Sequence, residues 1–240
     1  MADITDNQKH ARDDILIWDF FQNDGKESFA NSRGRLKYIL SHIDLGLKVL
    51  NIGVGGAIFE ELALAKGIDV HSLDPSEQTI EKLRDQVGLA EKARVGYSEN
   101  IPFEDNMFDV VIMSEVLEHL TESEFDKSVM DVARVLRKRG TFIITVPFEE
   151  NLLDNDVICP HCGEKFHRWG HKQSFSKNML QRLLEERGFG VARIETRCFP
   201  DWSRRGIRNK IKSFLRYLMG RFGEGIAHPS IFLIANKNDL

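Results

Sequence analysis

Between residues 48 and 146 short apolar runs alternate with segments of helical period, a rhythm that restricts the chain to parallel strands joined by helices. KVLNI (48–52) reads as the first strand and enters glycines at 53, 55 and 56. Residues 57–66 read as a helix stopped by Gly67. IDVHSL (68–73) is the second strand, ending at Asp74, and the next helix places Ile80, Leu83 and Val87 on one face before Gly88. ARVGY (93–97) is a short third strand. FDVVIM (108–113) is a continuous apolar run but for Asp109, as expected for a strand buried on both faces. Thr121 and Glu124 form a capping box for a helix that carries Phe125, Val129, Val132 and Leu136 and stops at Gly140. TFIITV (141–146) is the fifth strand; a helix over 176–187 precedes GVARIE (190–195), and SIFLIAN (230–236) closes the sheet. The expected fold is α/β: a doubly wound, seven-stranded, mostly parallel, Rossmann-like sheet. A helical segment, 1–45, precedes a ligand-binding domain over 46–240.

Two stretches break the rhythm. One, 147–175, is a Cys/His insert after the fifth strand; the other, 201–223, is a basic helical insert with no acid between Ser203 and Arg221. The chain as a whole has 33 Lys and Arg against 37 Asp and Glu, a net charge of −4, which argues against nucleic acid as the partner. No run approaches the roughly 20 apolar residues of a membrane span, and the polar, acidic start is no signal peptide, so a cytoplasmic location is expected.

The strand entering Gly53, Gly55 and Gly56 makes a tight turn where a ligand can approach the backbone and meet a helix N-terminus. Asp74, ending the second strand, is placed to accept both ribose hydroxyls of an adenosine. A dinucleotide-binding loop has a further glycine where this chain has Ile58, which counts against an NAD-dependent oxidoreductase.

With these residues the chain resembles the class I S-adenosylmethionine (SAM)-dependent methyltransferases of the UbiE-like group (methyltransferase domain type 11). VLNIGVGGA (49–57) is similar to that family's glycine motif and LDPSEQTIEKL (73–83) to its ribose motif. VGYSENIPFEDNMFDVVIMSEVLEHL (95–120) is similar to its adenine-loop and fourth-strand motifs. The resemblance implies that Gly53, Val54 and Gly55 line the methionine part of SAM and that Asp74 holds the ribose. It implies a backbone contact from Ser98 to adenine, with Ser114 and Glu115 beside the sulfonium. Two positions depart from the pattern: Asn51 stands where the family has an acid and Tyr97 where it has an Asp, with Glu99 nearby to compensate.

Within the insert, Cys159 and Cys162 form a C-x-x-C knuckle, and His167 and His171 follow at helical spacing. Four such donors suit the corners of a structural zinc site, the alternative being a loop where they coincide by chance. His119 is a candidate catalytic base, with packing or capping as its plainer role and His161 as a second candidate. The stretch 203–222 is expected to form an amphipathic helix that contacts an anionic acceptor or a membrane surface peripherally, or whose charges are simply solvated. The expected activity is methyl transfer, at oxygen, to a small-molecule or lipid- or glycan-linked acceptor. A non-catalytic SAM-binding or zinc-knuckle interaction protein is the alternative. The sequence leaves the oligomeric state open.

Overall fold

The computed structural model describes residues 16–18, 20, 32–199 and 229–239. In chain order these contain α1 (Arg33–Leu40), β1 (Lys48–Ile52), α2 (Ile58–Lys66), β2 (Asp69–Asp74), α3 (Glu77–Lys82), β3 (Ala93–Val95) and β4 (Phe108–Ser114). They continue with α4 (Glu122–Val135), β5 (Leu136–Pro147), β6 (Asp156–Ile158), β7 (Lys165–His167), α5 (Lys177–Glu185), β8 (Phe189–Arg197) and β9 (Ser230–Lys237).

Seven strands make the main sheet in the order β3-β2-β1-β4-β5-β9-β8. The first five pair in parallel, while β9 runs antiparallel to both β5 and β8. The expected doubly wound sheet with a reversed terminal pair is therefore the observed one. Chain order reverses direction between β1 and β4, and ligands of such sheets bind outside the carboxyl ends of the strands at that point.

Strand pleating divides the core. Leu50 and Ile52 of β1, Val111 and Met113 of β4, and Phe142 and Ile144 of β5 pack on one face with α4 and α5 residues such as Val129 and Leu184. Their alternate neighbours Val49, Val110, Val70 and Ile143 pack on the other with Phe59 and Ala63 of α2. The apolar side chains of these strands thus serve both layers.

Capping follows the sequence closely. Thr121 and Glu124 exchange both capping-box hydrogen bonds. Ser176 caps α5, and Gly67 and Gly88 end their helices in the left-handed conformation.

One boundary differs. The helix expected to reach Gly140 stops at Val135, and residues 136–140 belong to β5. The amides of Asn106 and Met107 take the carbonyls of Arg134 and Val135, and Leu136 pairs with Phe108, so the sheet captures the chain before a further turn forms. The basic insert and its proposed acceptor or membrane contact, like much of the 1–45 segment, lie outside the described residues.

The Cys/His insert leaves β5 after Pro147 and returns beside it, where Phe148 bridges Phe175. Its centre is the β6–β7 hairpin, which pairs Asp156 with His167 and Ile158 with Lys165. Backbone bonds from Lys172 and Gln173 to the Glu118 carbonyl pin the insert against the loop that follows β4.

Candidate active site

A cavity of about 1260 Å³ opens at the carboxyl ends of β1, β2, β4 and β5. Its floor is the glycine turn. Gly53 and Gly55 both have positive φ (83° and 58°), and the Gly53 amide donates to the Leu73 carbonyl at 2.9 Å, tying the turn to the end of β2. A Cβ at Gly53 would stand 2.5 Å from Cγ2 of Val116, so both backbone conformation and space require glycine.

Asp74 is 1% exposed and faces this turn. The Val54 amide donates to its Oδ2 at 2.8 Å and the Ser76 amide to its Oδ1 at 2.9 Å. Two backbone donors fix the carboxylate's direction, as a preorganised anchor for a ligand hydroxyl requires. Beyond it, Tyr97, Ser98 and Glu99 line the cavity on the loop after β3. The Ser98 hydroxyl is engaged with Ser128 of α4 at 2.7 Å, so its side chain braces the loop.

Asn51 has an acid behind it. Pleating turns Asn51 toward α2, where its amide donates to Glu60 Oε1 at 2.7 Å; the Ser72 hydroxyl donates to the same oxygen at 2.8 Å. Glu60 is wholly buried, and burial pushes its carboxyl above the usual range. The acid missing from β1 is therefore present one layer deeper, on the neighbouring helix. Its trace in the sequence is the first of two adjacent glutamates at the start of an otherwise apolar stretch, IFEELALA.

At the end of β4, Arg35 of α1 donates from Nε to Ser114 Oγ at 3.0 Å, and its Nη1 lies 3.7 Å from Glu115 Oε2. Ser114 also meets Thr145 Oγ1 at 2.9 Å. Glu115 holds φ +57°, a left-handed conformation uncommon outside glycine, and its amide donates to the Thr145 carbonyl. Ser114 and Glu115 thus line the cavity and are oriented by an arginine that no local motif announced.

The far wall carries the histidines. His119 Nδ1 is 3.2 Å from the Gly170 carbonyl and 3.3 Å from Trp18 Nε1. Burial, with the neighbouring His171, lowers the His119 pKa to about 3. So weak a base is poorly matched to taking a proton at neutral pH. His171 Nδ1 lies 2.5 Å from Glu150 Oε2, and His167 Nε2 lies 3.5 Å from Glu150 Oε1. Burial raises Glu150, but the His171 hydrogen bond and the two imidazoles more than offset it, and its carboxyl sits below the usual range.

The four zinc ligands expected from the sequence are split. His167 and His171 stack at 4.7 Å around Glu150, whereas Cys159 and Cys162 sit at the hairpin tip with Cys162 exposed. Hairpin pairing puts His167 opposite Asp156, so Cys159 is three residues along the strand, about 10 Å away at ~3.3 Å per residue. Among the described residues no group of three metal-binding side chains includes a cysteine. The knuckle instead shapes the turn: the Cys159 amide donates to the Glu164 carbonyl and the Gly163 amide to the Cys159 carbonyl.

Residues 50–144 match the methyltransferase domain family. The chain is 23% identical over 184 residues to an uncharacterized methyltransferase of Geobacillus sp. (strain WCH70), covering 75% of this chain and 85% of that protein. It is 32% identical over 101 residues to the ubiquinone biosynthesis O-methyltransferase of Azorhizobium caulinodans, covering 41% of this chain and 36% of that one. For the same enzyme of Rhizobium johnstonii the figures are 31% over 128 residues, 52% and 50%. The chain thus spans half or less of the length of these O-methyltransferases.

Among solved structures, the 1,6-didemethyltoxoflavin-N1-methyltransferase of Burkholderia thailandensis superposes with TM-score 0.68 at 16% identity. The match covers 100% of this chain and 92% of that one, whose structure holds 1,6-didemethyltoxoflavin and S-adenosylhomocysteine. The SAM-dependent methyltransferase of Mesorhizobium loti gives 0.63 at 16% identity, covering 86% of this chain and 98% of that one. The glycine turn and Asp74 thus lie in one parallel sheet within a methyltransferase domain over residues 50–144, and over that span the chain is similar to SAM-dependent methyltransferases.

Proposed function

We propose that this chain methylates a hydroxyl of a small-molecule or lipid- or glycan-linked acceptor that enters between the insert and the loop after β4. The observation that carries the reading is the continuity of the cavity from Asp74 to His171. At about 1260 Å³ it exceeds the ~300–1,000 Å³ typical of a pocket for one small ligand, leaving room for a donor and an acceptor side by side.

SAM supplies an activated methyl group on its sulfonium. The protein's own residues do the rest by positioning, which accounts for up to roughly 7–11 kcal/mol of barrier lowering in well-oriented reactions. Asp74 is assigned to the ribose, the Gly53–Gly55 turn and Asn51 to the amino-acid end, and Tyr97, Ser98 and Glu99 to the adenine. Arg35, by bonding Ser114 and pairing with Glu115, fixes the rim between the two halves. Oxygen is favoured as the methylated atom because the O-methyltransferases above are among the most similar curated relatives.

Turnover of labelled SAM against a panel of phenolic, polyprenyl-linked and glycan-linked hydroxyl compounds, each beside its amine analogue, tests the proposal. Label transferred to a hydroxyl supports it. Transfer confined to the amines, or saturable S-adenosylhomocysteine binding with no transfer to any class, overturns it.

A further inference from the structure

His119 and His171 line the acceptor wall of the cavity and Glu118 lies buried beside them, one donor atom from each of the three lying within 4.8 Å of the others. Both carboxylate oxygens of Glu118 are buried without a hydrogen-bond partner, and the residue is 1% exposed. A carboxylate in that condition is costly unless a cation or a proton compensates it.

Each of the two imidazoles has one nitrogen already committed. A carbonyl only accepts and an indole N–H only donates, so His119 Nδ1 serves either Gly170 or Trp18; as a donor to the Gly170 carbonyl it leaves Nε2 bare. His171 likewise directs Nδ1 to Glu150 at 2.5 Å and leaves Nε2 open. A metal-binding histidine characteristically donates its second N–H to a carboxylate or a backbone carbonyl, and both partners are present here. His167 takes a different part. Its Nδ1 accepts from the His171 amide at 3.0 Å, so Nε2 carries the hydrogen and points at Glu150 rather than offering a lone pair.

We infer that Glu118, His119 and His171 form a binding site for one divalent transition-metal ion at the acceptor end of the cavity, with Glu150 and the Gly170 carbonyl orienting the two imidazoles. Two imidazoles and one carboxylate suit Zn²⁺, Co²⁺, Mn²⁺ or Fe²⁺ and leave coordination positions open toward the cavity. Such an ion neutralises the Glu118 carboxylate and presents a Lewis acid to an acceptor oxygen. That second role rests on the proposed reading of the function; the binding of the ion does not.

Full-length protein stripped with a chelator and titrated with Zn²⁺ and Co²⁺, without SAM or acceptor, tests the site. One equivalent is expected to bind, and the Co²⁺ form is expected to show visible d–d bands without a thiolate-to-cobalt charge-transfer band. His171→Ala and Glu118→Gln should each weaken binding at least about 100-fold, and Glu150→Gln about 10- to 100-fold. Cys159→Ser/Cys162→Ser should leave it within about twofold. Each variant is first checked for an unchanged melting temperature and S-adenosylhomocysteine affinity. His171 lines the open cavity, so its truncation keeps the test valid if Glu118→Gln fails to fold. No saturable binding, or binding lost in the double cysteine variant and kept in His171→Ala, overturns the inference.

Discussion

The donor end of the cavity takes its groups from strand ends: Asn51, Gly53 and Asp74 lie within a residue or two of β1 or β2, and Ser114 ends β4. At the acceptor end, Trp18 precedes α1, His119 follows β4, and Glu150 and His171 bracket a hairpin. The first set is placed by parallel pairing, which aligns neighbouring strands residue by residue, as with Asn51 and Ser72 or Ile52 and Met113. The second set depends on contacts between distant segments, such as His119 with Trp18 and with Gly170. On the proposed reading, parallel strands frame the donor pocket, while loops and an insert frame the part that selects an acceptor.

If that division is right, single changes at the donor end should have the larger effect on cofactor affinity. Asp74→Ala is expected to weaken S-adenosylhomocysteine binding at least about 100-fold, or about 2.7 kcal/mol, by calorimetry. Affinity unchanged in a folded Asp74→Ala protein would erase the distinction. Gly53→Ala should come next. The positive φ and the Val116 contact together should cost about 1–3 kcal/mol in urea unfolding, with loss of cofactor binding, and a neutral result would mean that the turn can relax.

A pH effect should originate outside the cavity, toward the amino ends of the strands. His71 of β2 is buried edge-on to Phe103 and Phe108, and burial lowers its pKa to about 4 despite the attraction of Asp69; Lys48, Lys92 and Arg94 add to the lowering. The unfolded chain binds this proton near pH 6.5 and the folded one only near pH 4, so stability is full above about 6.5 and falls as pH drops between the two. About 1–2 kcal/mol should be lost between pH 7.5 and 5, measured as a shift in urea midpoint. His71→Phe should flatten that dependence, and an equal slope in both proteins would assign it elsewhere.

Thr121→Ala removes one half of the capping box at the rim shared by both ends. About 1 kcal/mol of stability should go, with cofactor affinity held within about twofold. Cofactor binding that falls in step with that stability would show the two ends to be one cooperative unit.

Much of the donor end was legible before any coordinates. KVLNI, Asp74 and the run ending at Ser114 lie where expected because a largely apolar strand followed by glycine, or by an acid, has few structural outcomes. Glu60 was not legible as part of the site. Its acid falls in a helix, and only strand pleating shows that it stands behind Asn51. Nor was Arg35, which reaches Ser114 across 79 residues. The knuckle misled for a similar reason: two cysteines and two histidines within a short segment look like one donor set, but a hairpin carries them to opposite ends of its ladder.

Local patterning was therefore enough to specify the α/β layering, the parallel core, the helix caps and the cofactor face. Each of these follows from hydrophobic period and backbone freedom over a few residues. The packing of remote segments was needed to put Glu118, His119 and His171 around one point and to hold Glu150 between two imidazoles. Which side chains face each other across a cavity depends on contacts between residues far apart in the chain, and no periodicity records those.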